Sequence, residues 1–309
     1  MPAYLLSRLL TAVWVMFGVA SLVFFILHWV PGDPVEVMLG ESAAVADREA
    51  LRQALGLNLP VVEQWTRFLT NTLRWDLGES LYYQQAVSSL LAQRFAATLE
   101  LAAAAFLIAV LIALPTGILA AAHRGRAADL TAMGFSLLGV SIPNFWLGPL
   151  LVLAFSLGLG WFPVSGRSGL LSLVLPAITL GTGLAAILSR MVRSSLLEVM
   201  IEDFIRTARA KVLPSWAVWL RHGMRNAWLQ ILTFLGIQLG ALLGGAVITE
   251  TVFNWPGLGT LLVESIQRRD YPVVQGCVLL ISLCYVAINL LTDLLYARID
   301  PRIRLGQAE

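Results

Sequence analysis

An all-α, polytopic membrane protein with six transmembrane helices is the fold class that this sequence predicts, and three observations predict it. Of its 309 residues 58% are hydrophobic and only 13% charged, where an ordinary soluble domain has roughly 25% charged residues. The apolar residues fall in long unbroken runs, six of which reach the ~20 residues that a spanning helix requires. Basic residues gather between particular runs, as the positive-inside rule demands of cytoplasmic segments.

The first run, 9–30, follows Arg8 and imitates a signal peptide. It is too long for a signal-peptide apolar region and no small-x-small cleavage site follows, so it reads as an uncleaved span with a cytoplasmic N-terminus. The other runs lie at 98–122, 131–158, 171–192, 229–252 and 273–297. An even number of spans puts both termini on one side, and with that side inside, 13 of the 21 basic residues are cytoplasmic, including those of HRGR at 123–126. Residues 31–97 are expected to form an external docking domain. It opens with PGDP, whose prolines and Asp33 end the first span. DREALRQALGL then reads as a helix with Leu51, Ala54 and Leu55 on one face. The domain contains no histidine or cysteine for a metal or a nucleophile. The chain thus divides into 1–30, the first helix; 31–97, the external domain; and 98–309, a five-helix core interrupted by a cytoplasmic hairpin at 193–228.

That hairpin carries Arg206, Arg209, Arg221, Arg225 and the chain's only lysine, Lys211. Ile201, Phe204, Ile205, Ala208 and Val212 recur at helical spacing, with Glu202 and Arg206 paired four apart on another face. Pro214 ends this helix but suits the first turn of the next, where Trp216, Trp219, Leu220 and Gly223 repeat the spacing. Two amphipathic arms exceed what topology alone needs. Docking of a cytoplasmic partner accounts for them, as would lying on the lipid surface or packing on the chain's own spans.

Uphill transport needs energy, and no GxxxxGK[ST] phosphate loop exists here, since Lys211 sits between Ala210 and Val212. A proton-coupled secondary transporter, the alternative, would bury ionisable groups at mid-membrane, yet Glu100, Glu250 and Asp293 all fall near span ends. A membrane hydrolase would need facing catalytic groups that are absent. ATP is therefore expected to be hydrolysed by separate subunits.

Within the spans, Gly236, Gly240, Gly244 and Gly245 read as one small-residue face for close helix approach, or for lining a solute path. Pro143 and Asn144 interrupt the third span, freeing a carbonyl that Asn144 or a solute would meet. Asn144, Gly240, Gly244 and Glu250 are the candidate path residues. GLG at 257–259 lacks a third glycine and reads as a turn. Cys277 and Cys284, seven apart on one helix, cannot form a disulfide and read as packing residues. His28, His123 and His222 are not spaced as ligands.

These residues also carry a resemblance. The hairpin is similar to the EAA loop of permease subunits in binding-protein-dependent ABC importers. The similarity continues through PGDP, RWDLGES, ATLELA, SIPNFWLG, ETVFNWPGLG, RDYPVVQG and DPRIR, in the order of the dipeptide, oligopeptide and nickel branch. The resemblance implies type I importer architecture in a bacterial inner membrane, and half of a pathway for peptides or a related solute such as a nickel chelate. It implies a second homologous permease, two ATP-binding subunits that use ATP and magnesium, an extracytoplasmic solute-binding protein, and no nucleic acid. No cofactor is expected on this chain. ATPase coupling would fall to Glu202, Phe204, Arg206, Thr207, Ala208, Arg209, Ala210, Lys211, Val212 and Leu213. One departure stands out: the branch usually reads RTARAKGL, and here Val212 replaces the glycine. The local turn is then expected to be reshaped, or the coupling altered.

Overall fold

The computed structural model describes residues 2–29, 35, 44–54 and 56–299. PGDP, Leu55 and the DPRIR tail lie outside the described residues, as do the side chains of Leu51 and Ala54. In chain order the helices are α1 (Pro2–Trp29), α2 (Val45–Ala54), α3 (Val61–Leu73), α4 (Val87–Ala122), α5 (Ala127–Ser141), α6 (Asn144–Leu151), α7 (Leu170–Val199), α8 (Asp203–Ala210), α9 (Arg225–Val252), α10 (Leu258–Gln267) and α11 (Tyr271–Ile299). π-Helical turns extend α6 over Val152–Gly158 and precede α9 over Val218–Met224. Among the described residues the only extended pairing is one bridge between Glu79 and Ala86.

Five helical segments are long and apolar enough to cross a membrane, and the α5–α6 pair makes six if its two arms count as one span. In that pair the interruption expected at Pro143 within 131–158 is a full break: its arms bend by 103°. The cause is Pro143, which has extended geometry (ψ 143°) and caps α6 rather than sitting inside a continuous helix. The second expected span starts earlier than its apolar run, since α4 continues back through Arg94 to Val87 and has 36 residues. Such a helix is ~54 Å long, well beyond a ~30 Å hydrocarbon core.

The chain forms two compact units, Met1–Thr98 with Pro256–Val286, and Leu99–Trp255 with Ala287–Glu309. Residues of the expected external domain thus share a unit with the segment that follows α9. In this first unit α3 lies on α1, with Phe24 stacked on Phe68 at 5.6 Å and Trp65 Nε1 donating to Ser21 Oγ at 3.2 Å. The loop after α3 is held by Asp270, a carboxylate only 1% exposed. It accepts from Ser80 Oγ at 2.5 Å and from the amides of Leu81 and Tyr82 at 3.2 Å. Such a buried charge is tolerable because its lone pairs are occupied. RWDLGES and RDYPVVQG, distant in sequence, therefore serve one joint. Beside it Tyr83 donates to Glu264 at 2.9 Å, and burial, then this hydrogen bond, raise the phenol above its ordinary pKa.

GLG at 257–259 is more than a turn. Gly257 caps α10, Leu258 and Gly259 begin it, and the Leu258 amide donates to Thr98 Oγ1 at 2.8 Å. Cys277 is buried with Val87, Leu91, Leu261 and Val273 in the core of this unit.

In the second unit small residues set how closely α4 and α7 approach. An added Cβ on Gly181 would lie 2.6 Å from the Ala105 carbonyl oxygen, and one on Gly117 2.7 Å from that of Ser189. Pro115 removes a backbone donor inside α4, and the adjoining Thr116 hydroxyl donates to Ile112 O at 2.7 Å and lies 3.1 Å from Ser189 Oγ. α9 packs along α7 through Leu188, Val192, Leu196, Ala227, Ile231 and Leu235. The two helices that lead into and out of the hairpin are thereby joined by a continuous apolar core.

Candidate functional site

The hairpin forms where α7 ends at Val199 and the chain reverses before α9. Glu202, with extended backbone (ψ 151°), caps the eight-residue α8. Ile205 and Ala208, at i and i+3, are its buried face, at 0% and 4% exposure. Ile205 packs with Met200 at the end of α7, with Val218 of the second arm, and against Trp219. The second arm can close on the first because Gly223 has no side chain: a Cβ there would lie 3.3 Å from Met200 Sδ and 3.5 Å from Leu196 Cδ2.

The turn between the arms settles what Val212 does. α8 ends at Lys211, and Val212 takes φ +56°, with its amide donating to Arg209 O at 2.9 Å. This is the left-handed position that follows many helices and that glycine normally fills. The turn is therefore not reshaped; valine adopts the conformation suited to glycine. Its side chain is 90% exposed, so no packing offsets the crowding of a β-branched residue there. Pro214 (φ −63°, ψ 144°) then starts the second arm, its carbonyl accepting from Ala217 and Val218.

Of the ten coupling candidates, only Ala208 is buried; Glu202, Phe204, Arg206, Thr207, Arg209, Ala210, Lys211, Val212 and Leu213 are exposed. Two expectations change. Ile201 and Val212 do not belong to the buried face, because α8 begins only at Asp203 and has ended by Lys211. Arg206 bonds Asp203 at 3.2 Å rather than pairing with Glu202, which is the cap. With side chains 79% and 94% exposed, this ion pair contributes little to stability. In the second arm the expected face is also redrawn. The π-helical i→i+5 geometry puts Val218 and Gly223 inward, while Trp216 and Leu220 are exposed.

Sequence reading missed the base on which the hairpin stands. Arg193, six residues before the end of α7, makes a two-pronged bond to Asp129 in the first turn of α5: Nε to Oδ1 at 2.6 Å and Nη2 to Oδ2 at 2.8 Å. Oδ2 also accepts the Gly125 amide at 2.9 Å, so one carboxylate ties α7, α5 and the HRGR turn together. No periodic signal marks a pair 64 residues apart.

The path candidates do not form one surface. Asn144 is half-buried at the α5–α6 break, Gly240 and Glu250 are buried, and Gly244 faces open space. The four glycines likewise serve different neighbours: Gly236 abuts Thr292 and Gly245 approaches Leu180. At 3.6 residues per turn, Gly236 and Gly245, nine residues apart, fall about 180° apart around α9. Among the described residues no group of three histidines, cysteines or carboxylates converges as metal ligands would.

The fold and hairpin define a polytopic helical membrane protein whose sequence carries no GxxxxGK[ST] phosphate loop. Two family models match the chain: the N-terminal part of the binding-protein-dependent transport system membrane component over residues 1–102, and the inner membrane component of the same systems over 113–305. The glutathione transport system permease GsiC of Escherichia coli K12 is 43% identical over 302 residues, covering 97% of this chain and 98% of its own length. The GsiC of Salmonella paratyphi A is 45% identical with the same coverage. A structure of the MetNI methionine ABC transporter in inward-facing conformations matches the fold with a TM-score of 0.60 at 21% identity, over 68% of this chain and 96% of that one. The chain belongs to the inner-membrane permease components of binding-protein-dependent ABC importers, in the peptide and nickel branch. Its family is that of the membrane permease subunits of such systems, and the comparisons lend nothing to the proton-coupled alternative.

Proposed function

We propose that this subunit forms half of an import path for a short peptide-like solute and couples it to ATP hydrolysis through the hairpin at 193–228. The observation that carries the coupling is the exposure of nine of the ten candidate residues along the short helix α8, its cap and the turn that follows, with the buried side of the helix anchored by Ile205. A surface helix built only for stability has no need of Phe204 and Leu213 in solvent beside Arg206, Arg209 and Lys211. Two ATP-binding subunits, using ATP and magnesium, dock there. A second homologous permease completes the path, and an extracytoplasmic binding protein delivers solute to the segment 31–97. Both termini are cytoplasmic in this reading. Asn144, Gly240, Gly244 and Glu250 are proposed for the path by position in the spans, with the two buried ones acting through packing. The glutathione relatives favour a peptide over a nickel chelate. Uptake in proteoliposomes holding the whole complex and its binding protein tests the cargo: radiolabelled glutathione or a dipeptide should accumulate with ATP. Accumulation of a nickel chelate with no peptide uptake would overturn the peptide reading.

A further inference from the structure

The first unit holds a cavity that the coupling hairpin does not use. It measures about 280 Å³ and lies where the end of α1, the helix α3, the loop after α3 and the start of α11 meet, all within Met1–Thr98 and Pro256–Val286. Phe24, Leu27, Phe68, Leu77 and Pro272 give it an apolar wall. Two of its polar residues are committed to holding the walls together. The ring nitrogens of His28 lie 3.0 Å from Phe24 O and 3.1 Å from Gln64 Oε1, and Gln64 Nε2 donates to the carbonyls of Leu57 at 3.2 Å and Leu59 at 2.8 Å.

Five others, Asn71, Thr72, Asp76, Tyr271 and Gln275, have bonding capacity to spare. The hydroxyls of Thr72 and Tyr271 are buried without a hydrogen-bond partner among the described residues, an arrangement that folded proteins rarely keep unless another molecule supplies the bond. Asp76 accepts the Gly78 amide at 3.1 Å with Oδ1, which leaves Oδ2 for a donor from outside. Asn71 and Gln275 each bring an amide that can donate and accept. No lysine or arginine is among the lining residues, so with His28 neutral the one formal charge on the walls is negative.

This chemistry selects a cation with an apolar body and with amide groups of its own. A phospholipid headgroup fits poorly, because its phosphate would meet no basic side chain. The volume, near the lower end for ligand sites, holds one or two residues and no more. We propose that the cavity takes the N-terminal end of a short peptide, its ammonium on Asp76, its first peptide unit on Asn71 or Gln275 and an apolar first side chain against Phe24 and Phe68. This rests on the reading of the cargo as a peptide, and it gives the solute a holding site beside the segment to which the binding protein delivers it.

The test uses the whole complex in detergent, without binding protein, and a dipeptide whose first residue is photoleucine and whose second is alanine. After illumination, mass spectrometry should find the label on the stretches 24–28 and 64–72. Leucyl-alanine should compete it away and N-acetyl-leucyl-alanine should not. Asp76→Asn keeps the acceptor for the Gly78 amide but not the charge, and should lower labelling about ten-fold with the thermal midpoint unchanged. Thr72→Val, of the same shape, should lower it about three-fold and serves as the second variant should the first fail to fold. Label elsewhere only, equal competition by the acetylated peptide, or full labelling in both folded variants would each overturn the proposal. ATP-driven uptake of leucyl-alanine by the complex with its binding protein reports the cargo reading separately: uptake without label at this site sinks the site alone, and label without uptake upholds the site while the cargo reading fails.

Discussion

At the scale of the residue, Val212 is the most informative position. Left-handed backbone costs an L-residue roughly 1–2 kcal/mol, and at 90% exposure valine recovers none of it by packing. Val212→Gly should therefore raise the stability of the purified complex by about 1 kcal/mol, seen as a higher thermal unfolding midpoint, and leave ATP-coupled uptake intact or improved. A lower midpoint would mean that the valine methyls make a contact in the assembly, and that contact would then be the reason for the substitution. Of the alternatives left open by the sequence, the reshaped turn is answered at this residue: the hydrogen bond from the Val212 amide to Arg209 and the φ of +56° keep the usual helix ending. The glycine position was legible because RTARAKVL differs from its branch by one residue; how valine would respond was not, because strained and reshaped turns have the same sequence.

At the scale of the element, the coupled structure is a hairpin mounted on α7 and braced to α5. Asp129, with its side chain 5% exposed, is the buried end of that brace. Removing the charge leaves Arg193 unpaired in a partly buried site, a loss on the order of 3 kcal/mol. Asp129→Asn should lower the unfolding midpoint of the complex by several degrees, and Arg193→Lys, which keeps the charge without the fork, should lower it less. Equal midpoints for wild type and Asp129→Asn would show that the brace is structurally idle. Apolar run length located the membrane helices, and Pro214 located the hairpin turn, since both follow from local sequence. Other features were hidden for physical reasons. Pro143 marked the place of the break in the third span but not its 103° angle, which the unbroken apolar run around it does not register. The π-helical turn redraws the face around Trp216 because α-helical spacing was assumed, and Asp129–Arg193 and Ser80–Asp270 join residues whose proximity is set by the tertiary fold.

At the scale of the whole molecule, the chain is the permease component of an ABC importer, and the proposed function has it take its energy from partner subunits. Its lone lysine serves no phosphate loop. In the proposed function the energy arrives mechanically from ATP-binding partners, and the hairpin is the route proposed for it. Ile205, Met200 and Val218 tie its two arms together, and the α7–α9 core beneath is continuous. Displacing α8 therefore drags two spans rather than one loop, in keeping with the close packing that makes protein interiors transmit strain. The most direct measurement is copurification of the ATP-binding subunits with the affinity-tagged chain, wild type against Arg209→Glu/Lys211→Glu, combined with thermal midpoints to establish that both fold. Wild type should retain the ATPases and the double substitution should lose at least ten-fold of them, about 1.4 kcal/mol of docking energy, with its midpoint unchanged. Undiminished ATPase recovery and uptake in a folded double variant would contradict the account.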